Sequence, residues 1–201
     1  MDSTTTAALP DAVARAIAHL QSQGSTPNCT ELVTALLALE KAAKRQKQRF
    51  DYAQLVGTWQ LGFITGTVKT RKQAGTVLGS GRFIPRLVTV QLRYEPEAST
   101  GLRGTVYNTV GLANLTMTLS GPTQYWPKTN SLAFDFTHLC VAIGRQSLFQ
   151  CPVRGGQAQT EKFFTEGLKT QAFFTYFLVT PNCLAARGRG GGLALWTRQN
   201  N

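Results

Sequence analysis

Acidic residues are scarce in this chain, with 10 Asp and Glu among 201 residues against 21 Lys and Arg. After Glu97 only Asp135, Glu161 and Glu166 remain, so a carboxylate pair for general acid–base work would have to be assembled from very few groups. Histidine is scarcer still. His19 and His138 stand far apart, and no H-x-x-x-H, His/Asp pair or G-x-S-x-G arrangement supplies a metal or hydrolase site. The four cysteines, Cys29, Cys140, Cys151 and Cys183, never form a C-x-x-C pair, which favours reduced thiols over a disulfide or zinc framework. His138 and Cys140, two apart and so on one strand face, are the sole hint of a base beside a nucleophile. The expectation is a protein without catalytic residues, metal or obligatory cofactor.

Long apolar runs are also missing. The richest stretch, AFFTYFLV at 172–179, is about half of the roughly 18 to 20 residues that a helix needs to cross a bilayer. The amino terminus, MDSTTTAALPDAVARAIAHL, begins with an acid and lacks a basic leader region, so it reads as neither a signal peptide nor a complete transit peptide.

The surplus of positive charge is unevenly placed. Residues 1–56 hold six Lys or Arg against five Asp or Glu, whereas residues 57–201 hold fifteen against five. Nearly all of the net charge of +11 therefore belongs to the second part of the chain, where it favours an anionic partner such as nucleic acid, an acidic protein or a lipid surface.

Two periodicities divide the sequence. Val13, Ala16, Ile17 and Leu20 recur at helical spacing between Pro10 and Gly24, predicting a helix over 11–23. Leu32, Leu36, Leu39 and Ala43 mark a second over about 30–48, closed by the basic residues Lys41, Lys44, Arg45 and Lys47. From residue 57 the period becomes two: Trp59, Leu61 and Phe63; Val88, Val90, Leu92 and Tyr94; Ala113, Leu115, Met117 and Leu119; Leu132, Phe134 and Phe136. Gly and Pro punctuate this region at hairpin intervals. The reading is a mainly β protein, with a helical preface over 1–50 and an up-and-down antiparallel barrel of about eight strands over 51–201, an open sandwich being the alternative.

Particular segments carry a resemblance. LVGTWQLGFITGT, Leu55 to Thr67, holds the G-x-W signature that opens the first strand of lipocalin-like barrels. LAARGRGGGLALWTR at 184–198 resembles the closing strands of the plastid-lipid-associated (fibrillin) family, and GTVKTRK at 66–72, GRFIP at 81–85 and LAFDF at 132–136 fall in family-like order between them. The resemblance spans about residues 50–198 and departs at CPVRGGQAQTEKFF, 151–164. It implies a non-enzymatic protein of cyanobacterial type, peripheral on the thylakoid, or in the plastid stroma or on plastoglobules in a eukaryote. The ligand implied is a lipid, quinone or carotenoid, and the setting is membrane maintenance or photoprotection. A scaffold for an isoprenoid-quinone synthesis enzyme or a photosystem component is the alternative, and a bilin-lyase-like enzyme stands behind it.

With that barrel in view, the expected ligand lining is Trp59, Leu61, Phe63, Phe134, Phe136, His138, Phe174 and Tyr176, with Arg187 and Arg189 at the closing strands. Gly57 and Trp59 read as the plug of one barrel end. Arg187 and Arg189 are the candidates to lie over the tryptophan in a cation–π contact, or else form a surface pair for phosphate or carboxylate groups. ARGRGGG occurs once and runs straight into the apolar Leu193–Trp196, and its glycines lack G-x-G-x-x-G spacing, so neither nucleic acid nor a nucleotide is expected there. Lys69, Arg71, Lys72, Arg82 and Arg86 form the expected basic patch at the barrel mouth, for an anionic membrane or head group.

Overall fold

The computed structural model describes residues 9–66, 81–98 and 101–199. Two helices come first, α1 (Asp11–Leu20) and α2 (Cys29–Arg45). α1 stops three residues earlier than its periodicity suggests, because Ser22 takes a positive φ of 64° and the Gln23 amide turns back to the Ala18 carbonyl at 2.8 Å. α2 opens on Asn28, whose side chain accepts from the Thr30 amide at 2.8 Å and the Glu31 amide at 3.3 Å, and ends where Lys47 takes a φ of 52°. Their apolar stripes, with Val13, Ala16, Leu32 and Leu36 fully buried, lie on the outer wall of a sheet against Phe63, Phe177, Cys183, Ala185, Leu193 and Leu195. Each buried Val, Leu or Phe side chain stabilises the contact by about 1.5–3 kcal/mol of apolar burial.

A short helix, α3 (Tyr52–Leu55), leads into eleven strands: β1 (Gly57–Ile64), β2 (Arg82–Phe83), β3 (Val88–Pro96), β4 (Arg103–Leu112), β5 (Leu115–Trp126), β6 (Ser131–Phe134), β7 (His138–Ile143), β8 (Gln146–Pro152), β9 (Ala172–Val179), β10 (Cys183–Gly188) and β11 (Leu193–Arg198). Helix α4 (Gln157–Phe163) and a 3₁₀ turn (Leu168–Thr170) separate β8 from β9. Eight strands close a ring, in the order β4, β3, β1, β11, β10, β9, β6, β5 and back to β4, all antiparallel. The expected mainly β fold, a lipocalin-like barrel behind two helices, is therefore the fold observed, and the open sandwich is excluded by the β4–β5 pairing that completes the ring.

Of the remaining strands, β2 pairs with β1, and β7 and β8 form a branch. β6 and β7 run one after the other along the same edge of β5, β6 against Thr123–Trp126 and β7 against Leu115–Ser120. The changeover on β5 falls near Gly121, where a β-carbon would lie 2.3 Å from the carbonyl oxygen of Asp135, in the link between β6 and β7. On their far edges β7 pairs with β8 and β6 with β9. The wall thus forks. Its outer arm, the ends of β3, β4 and β5 with β7 and β8, flares past the barrel rim.

Candidate ligand site at the open end of the barrel

The end of the barrel nearest α3 is packed solid. Trp59 is fully buried there, its indole N–H donating to the Leu55 carbonyl at 2.7 Å. The guanidinium that covers its ring is that of Arg198, 4.0 Å from the ring centroid, and this corrects the expectation of Arg187 or Arg189. Arg198 also donates to the Pro181 carbonyl at 2.5 Å and the Val56 carbonyl at 3.3 Å. Gly57 has a φ of 124°, and a β-carbon on it would meet Arg198 Nη1 at 2.5 Å, so the G-x-W segment needs its glycine both for conformation and for room.

Above this plug sits a layer of phenols. Tyr94 and Tyr176 share a hydrogen bond at 2.9 Å in the barrel centre, and Tyr52 meets Thr123 Oγ1 at 3.0 Å. Tyr125 donates to the Phe50 carbonyl at 2.8 Å. Burial raises the pKa of all four, Tyr125 to about 12 and Tyr94 and Tyr176 well above the ordinary tyrosine value. They stay neutral donors through the physiological range.

Toward the open end the packing loosens. Phe134 stacks on Phe174 at 5.1 Å between centroids and tilts against Phe136 at 5.5 Å, and Phe174 meets Trp196 edge-on at 5.2 Å. Leu61, Ile64, Phe134, Phe136 and Phe174 are only partly buried against the core. Trp196 is 2% exposed, yet its indole N–H has no acceptor among the described residues. A buried donor left so is unfavourable by about 1–3 kcal/mol, which an acceptor oxygen on a bound molecule would recover.

Of the expected lining, Trp59, Leu61, Phe134, Phe136, Phe174 and Tyr176 belong to this inner cluster. Phe63 does not. The β1–β11 register slips between Leu61 and Phe63, so Phe63 turns outward beneath the helices, touching Phe83 at 5.1 Å. His138 is exposed, held to Thr137 Oγ1 at 3.0 Å, and Cys140 lies 3.7 Å from Ser147 Oγ on the polar outer face of β7. Arg187 forms a two-pronged ion pair with Glu40 of α2, and Arg189 donates to the Thr170 and Gln171 carbonyls at 2.9 and 3.0 Å, so both pin structure outside the barrel. Arg82 and Arg86 are exposed, while Lys69, Arg71 and Lys72 lie outside the described residues.

Sequence reading missed Tyr125 and Trp196 as inner residues, although Trp196 sits three residues from the start of a strand already flagged as closing the barrel. The segment that departs from the family resemblance, 151–164, finishes β8 and forms α4, filling the fork of the wall. A polar cleft of about 290 Å³ opens there among Asp135, Arg154, Gln159, Phe163, Glu166 and Gln171. Asp135 is occupied, by Arg154 and Gln159, each at 2.9 Å. Among the described residues no three His, Cys, Asp or Glu side chains gather as a metal site, and no helix is long and apolar enough to cross a membrane.

No family model matches the chain, and no curated protein is similar to it. Three solved structures are similar over 74% of its length. One is a redesigned β-barrel, 12% identical with a TM-score of 0.35 and 94% of that chain covered. A second, EF1p2_mFAP2b bound to DFHBI, is 11% identical with a TM-score of 0.33 and 95% covered. The third is a redesigned β-barrel, mFAP1, bound to DFHBI, 12% identical with a TM-score of 0.29 and 96% covered.

Proposed function

We propose that this chain is a non-enzymatic binder of an apolar small molecule, taken up at the open end of the barrel. The observation that carries the reading is the partly buried aromatic floor of Phe134, Phe136 and Phe174, next to an indole donor on Trp196 that has no acceptor among the described residues. A ligand that is mostly apolar but carries a carbonyl or hydroxyl oxygen fits both features. Covering about 300 Å² of apolar ligand surface would give about 7 kcal/mol gross, enough for useful affinity if the floor is preformed. Quinones and oxygenated carotenoids have this chemistry. The family resemblance of 55–67 and 184–198 supports a fibrillin-type role at a thylakoid or lipid-body surface in a cyanobacterium.

Titration with a short-chain plastoquinone analogue, followed by tryptophan fluorescence, tests the proposal. Saturable quenching that Trp196→Phe weakens is the expected result. Quenching that rises linearly without saturation, together with no enriched lipid in solvent extracts of the protein from its host, would refute it.

A second reading, an interaction protein for an isoprenoid-synthesis enzyme or photosystem component, is favoured by β8, whose outer edge pairs with no strand among the described residues. Affinity capture with Gln150→Pro, which would spoil that edge, separates the two: this variant should keep quinone quenching and lose the partner.

A further inference from the structure

We infer that the flared arm of the sheet is a membrane-docking element, which places the barrel's open end directly on an anionic bilayer. The inference rests on the apolar-binder reading for its purpose, and on the following geometry for its substance.

Opposed residues across the arm fall into rungs on a single face. Leu92, Asn108, Leu119, Leu139 and Cys151 form the innermost rung, and Leu92 is part of the barrel core. Val90, Val110, Met117, Val141 and Phe149 form the next; Val88, Leu112, Leu115, Ile143 and the polar Gln146 form the last. The apolar face of the interior thus continues past the rim onto open sheet. Leu112, Leu115, Met117, Ile143 and Phe149 are each 41–58% exposed, and Leu87, just before the last rung, is 81% exposed. The opposite face is polar, with Thr109 hydrogen-bonded to Thr118 at 2.9 Å and Arg93 lying over Tyr107. A contiguous exposed patch of this kind marks a contact surface.

Charge selects the occupant. No Asp or Glu occurs in residues 52–94, 98–134 or 136–160, and Asp135 is already paired with Arg154. Arg86 and Arg145 flank the outer rung at two turns, exposed and without a salt bridge among the described residues. A second copy, itself +11 and equally short of acids on this surface, would be repelled; an anionic bilayer matches both the cations and the apolar rungs. The scale fits as well. Two rungs span about 7 Å along a strand, within the roughly 5–10 Å to which interfacial elements enter the headgroup region.

The test is co-sedimentation of the full-length chain with phosphatidylcholine vesicles, with and without about 30% phosphatidylglycerol. The wild type should bind the anionic vesicles, and the triple variant Met117→Gln/Ile143→Gln/Phe149→Gln should bind at least about tenfold more weakly while keeping its circular dichroism and its quinone quenching. Arg86→Gln/Arg145→Gln should retain the apolar contact but lose most of the salt dependence. As an independent readout, Phe149→Trp should be quenched by brominated phosphatidylglycerol. Unchanged binding by the triple variant, an unquenched Trp at 149, or a wild-type dimer that the triple variant converts to monomer without vesicle binding would each overturn the inference. Vesicle binding without quinone quenching would support docking and remove only the ligand reading.

Discussion

At the residue scale, the closed end of the barrel depends on a few polar contacts around one tryptophan. Arg198 combines a cation–π contact with two carbonyl bonds, so Arg198→Ala should lower stability by about 1–3 kcal/mol in urea unfolding, and Arg198→Lys should recover only part of that. Asn130 bridges the preface to the barrel, donating to the Gln48 carbonyl at 2.7 Å and accepting from the Phe50 amide at 3.3 Å, from a backbone with a φ of 51°. Asn130→Ala loses the bonds and strains the backbone, whereas Asn130→Gly loses the bonds alone; the glycine variant should be the more stable of the two. The buried phenols make a pH statement. Their folded pKa values lie above the ordinary tyrosine value of 10.0, so the unfolded chain releases those protons first. Stability is therefore full below about pH 10 and falls as pH rises above it. Tyr94→Phe/Tyr176→Phe should flatten that fall in unfolding curves taken between about pH 8 and 11, and an unchanged slope would show that the pair does not govern it.

At the element scale, α1 and α2 are the outer layer of the wall formed by β1, β9, β10 and β11. Leu36→Ala, at a fully buried position between helix and sheet, should lower stability by about 2–5 kcal/mol, measured by thermal or urea unfolding. Glu40→Gln would break the ion pair of Arg187, whose side chain is 30% exposed and keeps its bond to the Gly191 carbonyl, and should have a smaller effect than the core deletion. Gly121→Val tests the fork. A β-carbon there would lie 2.3 Å from the Asp135 carbonyl oxygen, so the β6–β7 link could not pass β5 as it does, and the variant should lose the cooperative unfolding transition or show it at a much lower temperature.

At the scale of the whole molecule, the barrel is asymmetric along its axis. One end is sealed by α3, Trp59 and the tyrosine layer; the other loosens into Phe134, Phe136 and Phe174 and then spreads into the flare. The helical preface is needed to keep the outer wall out of water. Truncation to residue 51 onward would expose Phe63, Phe177, Leu193 and Leu195 together, and the product should be recovered mainly as aggregate, as judged by size-exclusion chromatography.

Much of this architecture was legible in the residues themselves. Helical spacing in 11–45, period-two alternation after 57 and the G-x-W turn report local backbone geometry and the existence of an apolar face, and each of these is a property of neighbours in sequence. What covers that face is not. Phe63 alternates correctly with Trp59 and Leu61, but a slip in the β1–β11 pairing puts it beneath the helices, and that slip is set by a partner strand more than 130 positions away. Arg198 rather than Arg187 or Arg189 reaches Trp59 because antiparallel register sets Trp59 opposite Arg198. Leu115 and Met117 read as ordinary half-buried strand residues, and only the fork at Gly121 decides that they leave the closed ring for an open arm. Sequence determined the pleat, the charge and the existence of an apolar face; the tertiary pairing decided which apolar surface the protein covers and which it leaves free to meet something else, because pairing across distant strands carries no signature in the local period.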